Sequence, residues 1–364
     1  RRDSFMTENT STSVQTIGIL GSGQLGRMLA IAAAQLGLRT HVYAPDASNS
    51  PAGDIAHRAT TAAYDDTAAL ATFAADVDVI TSEFENVPAA VMDVLADICP
   101  VSPGRAALHT AQHRIREKTL ARELGIATPQ FWPVSSAGDL KAAMRSHGLP
   151  GILKTCTLGY DGKGQVRIKP SDDMDAAFDS LGTDDAILEE VVDFAAEASF
   201  LVARDATGDV SHFPASLNHH RGGILAQSAA PAPLHDEIIT EGMNAVEKMA
   251  EALGLFGLLA LEAFVTVDGK LLFNEVAPRP HNSFHWTIEG CATSQFAQLA
   301  RLLAGMPFGA THIYGNWQMD NLLGEDMWKL PELLGSAGTH VHLYGKGDAE
   351  TGRKMGHTNR LLGS

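Results

Sequence analysis

The strongest constraint on the fold is the segment at residues 16–37, TIGILGSGQLGRMLAIAAAQLG, in which an apolar run, a glycine-rich turn and a helical pattern follow one another. Apolar runs at residues 40–45 and 77–83 predict two further strands, with helical patterns between and after them. Strands that alternate with helices form a parallel sheet, because each parallel connection needs a crossover. We therefore predict a parallel α/β domain over residues 16–111, after a disordered tail at residues 1–15.

Composition narrows the possible functions. The 364 residues are 45% hydrophobic, which is enough for two or three domains with substantial cores. The net charge of −16 disfavours binding of nucleic acid over a broad surface. The three cysteines are widely spaced and match neither a disulfide framework nor a zinc motif, and no apolar run approaches the ~18 residues of a membrane span. We expect a cytoplasmic protein with no nucleic-acid or membrane partner.

The rest of the chain predicts two further units. A helical pattern at residues 110–126 would connect the first domain to a hairpin, in which the strands GILKT and QVRIK flank the loop CTLGYDGKG. A helix and a strand follow, so we predict a linker helix and a small lid over residues 112–193. Residues 194–364 carry mostly strand patterns around a long helix, which predicts a mixed α+β domain with a strand-rich C-terminal part. The expected class is α/β in the first domain and α+β overall.

Two glycine-rich loops are candidate phosphate sites. Lys154, on a predicted strand, precedes a loop at residues 159–165 whose three glycines let backbone N–H groups wrap phosphate oxygens; a solvated hairpin tip is the alternative. Residues 21–26 have the G-x-G-x-x-G pattern between a strand and a helix, and Asp46 lies 20 residues beyond, where a dinucleotide enzyme would hold a ribose. A turn in which only glycine packs explains that second pattern equally well.

A predicted hairpin turn brings two acidic residues together. Asp268 and Gly269 lie between two apolar runs and are typical of a two-residue turn. Such a turn would place Phe264 opposite Phe273. It would also place Glu262 opposite Glu275, although directly opposed like charges destabilise a sheet. A bound cation would relieve the repulsion, and oxygen ligands beside a polyphosphate favour Mg²⁺; an exposed sheet edge and a proton-sharing pair are the alternatives.

The few cations of this acidic chain are candidates for anion binding. Arg114 and Lys118 share one face of the predicted linker helix, and Arg279 follows Glu275 by four residues. Three more cations flank a loop near the C-terminus: Lys346, Arg353 and Lys354. For each of them, a solvated surface position is the alternative.

Two acidic residues and the histidines complete the candidates. Glu83 and Glu85 end a predicted parallel strand at the sheet edge where open α/β folds bind ligands, although a helix cap would explain them as well. The 15 histidines show no zinc-protease spacing, and we expect most of them to be packed or exposed imidazoles.

The order of a Rossmann-like domain, a glycine-rich lid and an acidic strand pair resembles the ATP-grasp superfamily. Six segments, spread over about residues 17–359, are similar to the N5-carboxyaminoimidazole ribonucleotide synthetase family of purine biosynthesis: ILGSGQLGRML, TSEFENVP, LKTCTLGYDGKGQ, SLNHHRGGIL, FNEVAPRPHNSFHWT and GRKMGHTN. The resemblance implies a homodimeric ligase that forms a C–N bond and uses ATP and Mg²⁺. It would carboxylate 5-aminoimidazole ribonucleotide with bicarbonate, by way of carboxyphosphate, and release ADP and phosphate.

The resemblance also implies roles for individual residues. The expected ATP-binding residues are Arg114, Lys154, Gly159, Tyr160, Asp161, Gly162, Lys163, Gly164, Gln165, Glu189, Glu190, Val191, Val192, Glu197, His220, Asn274 and Glu275. Glu262 and Glu275 would hold Mg²⁺, while Ala277 stands where many ATP-grasp enzymes have a further oxygen ligand. The expected ribonucleotide contacts are Gly23, Gln24, Glu83, Lys346, Arg353 and Lys354. The expected catalytic residues are Lys154, Tyr160 and Arg279, the last two at bicarbonate or carboxyphosphate.

Three other functions stay open from the sequence. Another ATP-grasp carboxylate–amine ligase would share the lid and the acidic pair. An NAD-dependent oxidoreductase would use residues 21–26 and Asp46. A non-catalytic nucleotide sensor would retain the fold with an acidic pair that binds no metal.

Overall fold

The computed structural model describes residues 14–148, 150–159 and 164–363, so residues 1–13 of the predicted tail and residues 160–163 of the predicted lid loop lie outside the described residues. Three sheets organise the chain. None of the described helices combines the length and apolar character that crossing a bilayer requires.

The first sheet has five parallel strands in the order β3-β2-β1-β4-β5. Its elements are β1 (Thr16–Leu20), α1 (Gln24–Gln35), β2 (Arg39–Ala44), β3 (Arg58–Thr61), α2 (Thr67–Ala75), β4 (Val79–Ser82), α3 (Ala89–Ala96) and β5 (Val101–Ser102). The central strand buries Ile17, Ile19 and Leu20 completely, as expected where helices cover both faces of a parallel sheet. The predicted parallel sheet is confirmed. Two short edge strands, β3 and β5, add to the three strands that the apolar pattern indicates.

Two helices connect this sheet to the lid: α4 (Arg105–Ala111) and α5 (Arg114–Glu123). The prediction of one continuous helix at residues 110–126 is therefore wrong. The backbone of His113 is extended, and the N–H of Arg114 donates to the carbonyl of Cys156 in the lid at 3.0 Å. A tertiary hydrogen bond thus starts α5, which sequence periodicity does not report.

The lid is a four-stranded antiparallel sheet in the order β6-β9-β7-β8. Its elements are β6 (Phe131–Val134), α6 (Ala137–His147), β7 (Gly151–Thr155), β8 (Gln165–Ile168), α7 (Met174–Asp179) and β9 (Ala186–Glu190). The predicted hairpin of β7 and β8 is confirmed, with Lys154 paired to Gln165. Leu140 of α6 packs with Leu153 and Leu188 in a separate small core, so the unit has its own hydrophobic centre.

The third sheet has eight strands in the order β14-β13-β10-β11-β12-β15-β17-β16. Its elements are β10 (Phe194–Arg204), β11 (Val210–Arg221), β12 (Ile224–Ala230), α8 (Asp236–Ala252), β13 (Gly257–Thr266), β14 (Leu271–Ala277), α9 (Thr287–Gly290), α10 (Gln295–Leu303), β15 (Trp317–Leu323), α11 (Leu330–Gly335), β16 (Thr339–Leu343) and β17 (Lys354–Leu361). Leu299 and Leu303 of α10 share one core with Ile17 and Leu29. The first sheet is therefore packed firmly against this domain.

The hairpin of β13 and β14 confirms one predicted pairing and corrects another. Glu262 lies opposite Glu275, as predicted. Phe273, however, faces Ala263 and not Phe264. A bulge at Asn274, which has no partner of its own on β13, accounts for the difference.

The turn itself has three residues instead of the two we predicted. The N–H of Thr266 donates to the carbonyl of Lys270 at 2.9 Å, and Gly269 takes the left-handed backbone conformation with φ +80°. The longer turn moves the pairing by one residue, and the bulge at Asn274 moves it back. The two changes cancel at the acidic pair.

Candidate active site

The acidic pair spans the two strands of the hairpin, with Glu262 on β13 and Glu275 on β14, which is the edge strand of the large sheet. Glu262 is largely buried, with its Oε1 3.5 Å from Ser199 Oγ and 3.6 Å from His281 Nε2. Burial and then the charge of Glu275 raise the pKa of Glu262 to about 7. Two adjacent carboxylates of this kind, one shielded from solvent, supply the hard oxygen ligands that a divalent cation needs. The residues present therefore fit Mg²⁺.

Two consecutive residues of α5 hold the backbone on either side of Glu275. Lys118 Nζ donates to the carbonyl of Asn274 at 2.7 Å, and the N–H of Val276 donates to Glu117 Oε2 at 3.1 Å. Burial raises the pKa of Glu117 to about 8, and the nearby charge of Glu275 acts in the same direction. The bulge is thus fixed by a helix from another part of the chain. Glu117 was not among the residues selected from the sequence. Its position beside Lys118 was the one signal that could have identified it.

A cluster of cations lies between the acidic pair and the lid. Arg114 Nη1 is 3.2 Å from Glu275 Oε2, while its Nη2 donates to the carbonyl of Gly159 at 3.3 Å. The side chain of Arg114 therefore links the acidic pair directly to the start of the glycine-rich loop.

The second part of this cluster surrounds Glu189. Its carboxylate lies 2.8 Å from Lys154 Nζ and 3.4 Å from Lys118 Nζ. Burial alone would raise the pKa of Glu189, but the two ammonium groups hold it at about 2. Burial lowers the pKa of Lys154, with repulsion from Lys118 and Arg114 acting in the same direction. The side chain of Glu189 is thus committed to the two lysines.

Other predicted lid residues lie around this cluster. Glu190 is bound to the backbone of Gln130 through both its N–H and its Oε1, at 2.9 and 2.8 Å. At the base of the glycine-rich loop, the N–H of Thr155 donates to the carbonyl of Gly164 at 2.9 Å. Gly164 has φ +69°, and a Cβ there would lie 2.8 Å from Thr155 Oγ1, so the loop base requires glycine. Tyr160, Asp161, Gly162 and Lys163 lie outside the described residues.

Adjacent strands provide a further charged pair beside Glu262. Glu197 on β10 forms an ion pair with His220 on β11. Burial would lower the pKa of His220, but its hydrogen bond to Glu197 and the charge of Glu262 raise it overall. The histidine is therefore held towards its charged form at the edge of the acidic pair.

The glycine turn at the start of α1 holds an internal anion. The N–H groups of Gly23 and Gly26 donate to the carboxylate of Glu83, the second at 2.6 Å. Burial nevertheless raises the pKa of Glu83. A Cβ at Gly21 would lie 2.4 Å from Glu83 Cγ, so this turn requires glycine in order to admit the glutamate. The carboxylate occupies the position at the helix N-terminus where a dinucleotide would place its pyrophosphate, which argues against the oxidoreductase.

Glu85 and Arg279 form a bidentate ion pair, with Nε···Oε2 at 2.5 Å and Nη2···Oε1 at 3.0 Å. Burial would raise the pKa of Glu85, but the guanidinium holds it at about 2. The charges of Glu275 and Glu83 also raise the pKa of Arg279, so the guanidinium lies among several carboxylates. The sequence analysis singled out Glu85 only as a neighbour of Glu83, because nothing in the sequence pairs it with Arg279.

Two of the three C-terminal cations reach this region. Burial raises the pKa of both Glu83 and Glu262, and the charges of Lys346 and Lys354, respectively, offset part of this rise. Burial lowers the pKa of His281, and the charges of Arg279 and Lys354 act in the same direction. Arg353 is exposed, and its Nη1 donates to the carbonyl of Asp348 in its own loop at 3.1 Å. The charges of Lys346 and Lys354 therefore act on acidic residues of the site, whereas Arg353 is exposed on its loop.

The chain matches family models along most of its length. Residues 14–112 match the ribonucleotide synthetase preATP-grasp domain, residues 119–296 the ATP-grasp domain, and residues 318–364 the phosphoribosylaminoimidazole carboxylase C-terminal domain. Together with the lid, the paired glutamates and the clustered cations, these matches place the chain among the ATP-grasp ligases.

Individual relatives narrow the assignment. The N5-carboxyaminoimidazole ribonucleotide synthase of Brucella melitensis is 47% identical over 95% of this chain and 96% of the relative. The Staphylococcus aureus N5-carboxyaminoimidazole synthetase complexed with ADP superposes with a TM-score of 0.91, at 34% identity over 96% of this chain and 94% of that one. The Aspergillus clavatus enzyme, in complex with ADP and 5-aminoimidazole ribonucleotide, superposes with a TM-score of 0.87 at 28% identity, over 96% and 94%. The chain belongs to the N5-carboxyaminoimidazole ribonucleotide synthase family.

Proposed function

We propose that this chain uses ATP and bicarbonate to carboxylate 5-aminoimidazole ribonucleotide, and that it releases N5-carboxyaminoimidazole ribonucleotide, ADP and phosphate. The main structural support is the pairing of Glu262 with Glu275 beside Arg114 and Lys154. A triphosphate needs cations and a metal site at the same place, and this is where the chain gathers both. Family membership supports the choice of substrates.

Glu262 and Glu275 would hold Mg²⁺, which when bound neutralises phosphate charge during phosphoryl transfer. Arg114 would then turn from Glu275 towards the phosphates, and Lys154 would add a second cation. The loop at residues 159–165 would cover them with its backbone N–H groups. Ala277 offers no side-chain ligand, so the carboxylates on β13 and β14 would supply the protein's share of the metal ligands.

The nucleoside would lie along the junction of the lid and the large sheet. Backbone groups at Glu189, Glu190, Val191 and Val192 would meet the base, with the N–H of Glu190 already engaged by Gln130. Glu197 would bind the ribose hydroxyls. His220 and Asn274 would line the nucleotide site. The contact between Glu197 and His220 supports this assignment, because it fixes the carboxylate at the sheet surface.

Transfer of the γ-phosphoryl group to bicarbonate would give carboxyphosphate, an activated form of an otherwise poor electrophile. The positively charged Arg279 would stabilise the anion, held in orientation by Glu85, and Tyr160 would contact it from the loop. Carboxyphosphate is short-lived in water, so closure of the lid would exclude solvent before the amine attacks. Lid closure thus serves chemistry as well as binding.

The ribonucleotide would lie on the side of Arg279 away from the lid, between the first sheet and the C-terminal loop. Gly23, Gln24 and Glu83 would contact its ring and ribose, and Lys346, Arg353 and Lys354 its phosphate. The electrostatic influence of Lys346 on Glu83 supports this grouping. We further propose a homodimer, as the family resemblance implies. We propose a cytoplasmic location because the three buried free cysteines suit a reducing compartment.

An assay of ADP release with ATP, Mg²⁺ and bicarbonate tests this function. We expect 5-aminoimidazole ribonucleotide to stimulate ADP release strongly, and the carboxylated product to appear in equal amount. No stimulation by the ribonucleotide would refute the proposal and favour another ATP-grasp ligase. ATP binding without turnover for any substrate would favour a nucleotide sensor, and oxidation of NADH would favour the oxidoreductase.

A further inference from the structure

Three side chains with different metal-binding groups meet where the lid joins α5. They belong to His113, Cys156 and Asp185, and their ligand atoms all lie within 4.8 Å of one another. His113 Nε2 is 3.2 Å from Asp185 Oδ1. None of the three takes part in the function proposed above.

The backbone holds these residues in place. The N–H of Cys156 donates to the carbonyl of Asp185 at 2.9 Å, and the carbonyl of Cys156 accepts from Arg114, the residue after His113, at 3.0 Å. The three side chains therefore project from one hydrogen-bonded junction, so binding a cation would require little ordering of the chain.

The distances suit a small tetrahedral cation. Zinc bonds of about 2.0–2.3 Å imply ligand-to-ligand separations of roughly 3.3–3.8 Å. The 3.2 Å separation of His113 Nε2 and Asp185 Oδ1 is close to this length, and small side-chain rotations would bring the sulfur of Cys156 into range. Cys156 is 2% exposed, whereas about half of the Asp185 side chain is exposed, so water can complete the shell from the Asp185 side.

Without a cation, the contact with the Asp185 carboxylate places the proton of a neutral His113 on Nε2. Its Nδ1 is buried and has no hydrogen-bond partner within the part of the chain that the structure describes. A bound cation would displace the proton from Nε2, and the neutral imidazole would then carry its proton on Nδ1.

We propose that His113, Cys156 and Asp185 bind Zn²⁺ or another thiophilic divalent cation, with water as the fourth ligand. One sulfur, one imidazole nitrogen and one carboxylate oxygen favour zinc or cobalt over Mg²⁺, which takes oxygen ligands. The Cys156 thiol loses its proton to solvent when the cation binds, so the ligand is the thiolate. The cation would join the N-terminus of α5 to the first residue of the lid loop.

Cobalt titration of the full chain, after dialysis against a chelator, provides the test. We expect one thiolate-bound Co²⁺ per chain, with a thiolate-to-cobalt charge-transfer absorption that zinc abolishes and a large excess of Mg²⁺ does not. Cys156→Ser should remove this absorption. Cys99→Ser, at another buried free thiol, should leave it intact.

Asp185→Asn gives a second measurement at a solvent-accessible position, where the substitution does not disturb the core. We expect it to weaken cobalt and zinc binding by about tenfold or more, whereas Asp184→Asn, at the neighbouring exposed residue, should bind as the wild type does. Circular dichroism would show that the folds are equivalent. The proposal is overturned if the wild type shows no charge-transfer absorption, if Cys156→Ser keeps it, or if the two aspartate variants bind equally.

Discussion

Glu85 and Arg279 are 194 residues apart in the sequence and form a bidentate ion pair at the boundary between the first sheet and the end of β14. The pair connects the edge of the parallel sheet to the loop that follows the acidic strand. Both side chains are largely buried, so the geometry of this connection is well protected from solvent.

Glu85→Gln should lower stability by about 3 kcal/mol at pH 7, because it removes the bidentate carboxylate partner of the buried Arg279 guanidinium. The pKa of Glu85 is about 2 in the folded chain, below its ordinary value of 4.5. Between these two pKa values the unfolded chain binds more protons than the folded chain. The stability that the ion pair contributes is therefore lost as the pH falls through this range. Urea unfolding should show a gap between wild type and variant that narrows from pH 6 towards pH 3. A gap that stays constant would contradict the assigned pKa.

Lys118→Met should destabilise the fold by about 1.5–3 kcal/mol, since it leaves the buried Glu189 with Lys154 but without its second ammonium partner and removes the charged hydrogen bond to the carbonyl of Asn274. The matched control is Lys141→Met, which breaks an exposed ion pair with Asp175 and should cost less than about 1 kcal/mol. Because Lys118 positions the bulge before Glu275, we also expect the Mg²⁺ concentration needed for half-maximal activity to rise. Equal stability losses in the two variants would show that the buried contacts of Lys118 contribute no more to stability than an exposed ion pair.

Gly21→Ala should weaken ribonucleotide binding and leave the KM for ATP unchanged. Gly21 has φ +100°, and its added Cβ would lie 2.4 Å from Glu83 Cγ. Gly37→Ala is the control, because Gly37 also has a positive φ, of +75°, but nothing lies within 4 Å of its added Cβ. Thermal unfolding should show a loss of about 1 kcal/mol for the control and more for Gly21→Ala. An unchanged KM for the ribonucleotide in Gly21→Ala would contradict the assignment of Glu83 to the substrate site.

Glu275→Gln should reduce turnover by at least about 10³-fold, because it removes one of the two proposed metal carboxylates. The fold should survive, since the change also removes repulsion against Glu262. ADP release measured across a Mg²⁺ titration, with circular dichroism as the folding control, checks this expectation. Wild-type turnover in the variant would exclude a metal role for Glu275.

Sequence patterns predicted the parallel sheet, the lid hairpin and the acidic pair, because each depends on local chemistry. The alternation of strand and helix patterns predicts the parallel sheet, whereas a loop or turn between two apolar runs predicts the lid hairpin and the acidic pair. The break between α4 and α5 escaped prediction because a hydrogen bond from Arg114 to the distant Cys156 replaces a helical one. The contact between Glu262 and Glu275 was predicted from a turn one residue too short, and a bulge that no local signal announces restored it.

The sequence by itself determined which groups are available: paired glutamates, a glycine-rich loop, and few cations in an acidic chain. Only the tertiary structure decided their partners, such as Glu189 between two lysines, Glu83 in the glycine turn, and His113 beside Cys156 and Asp185. Charges and ligand atoms act over a few ångströms, and the backbone brings residues this close from positions tens to hundreds apart. Local sequence preferences therefore determine the helices and strands, whereas the packing of these elements determines which side chains can act together.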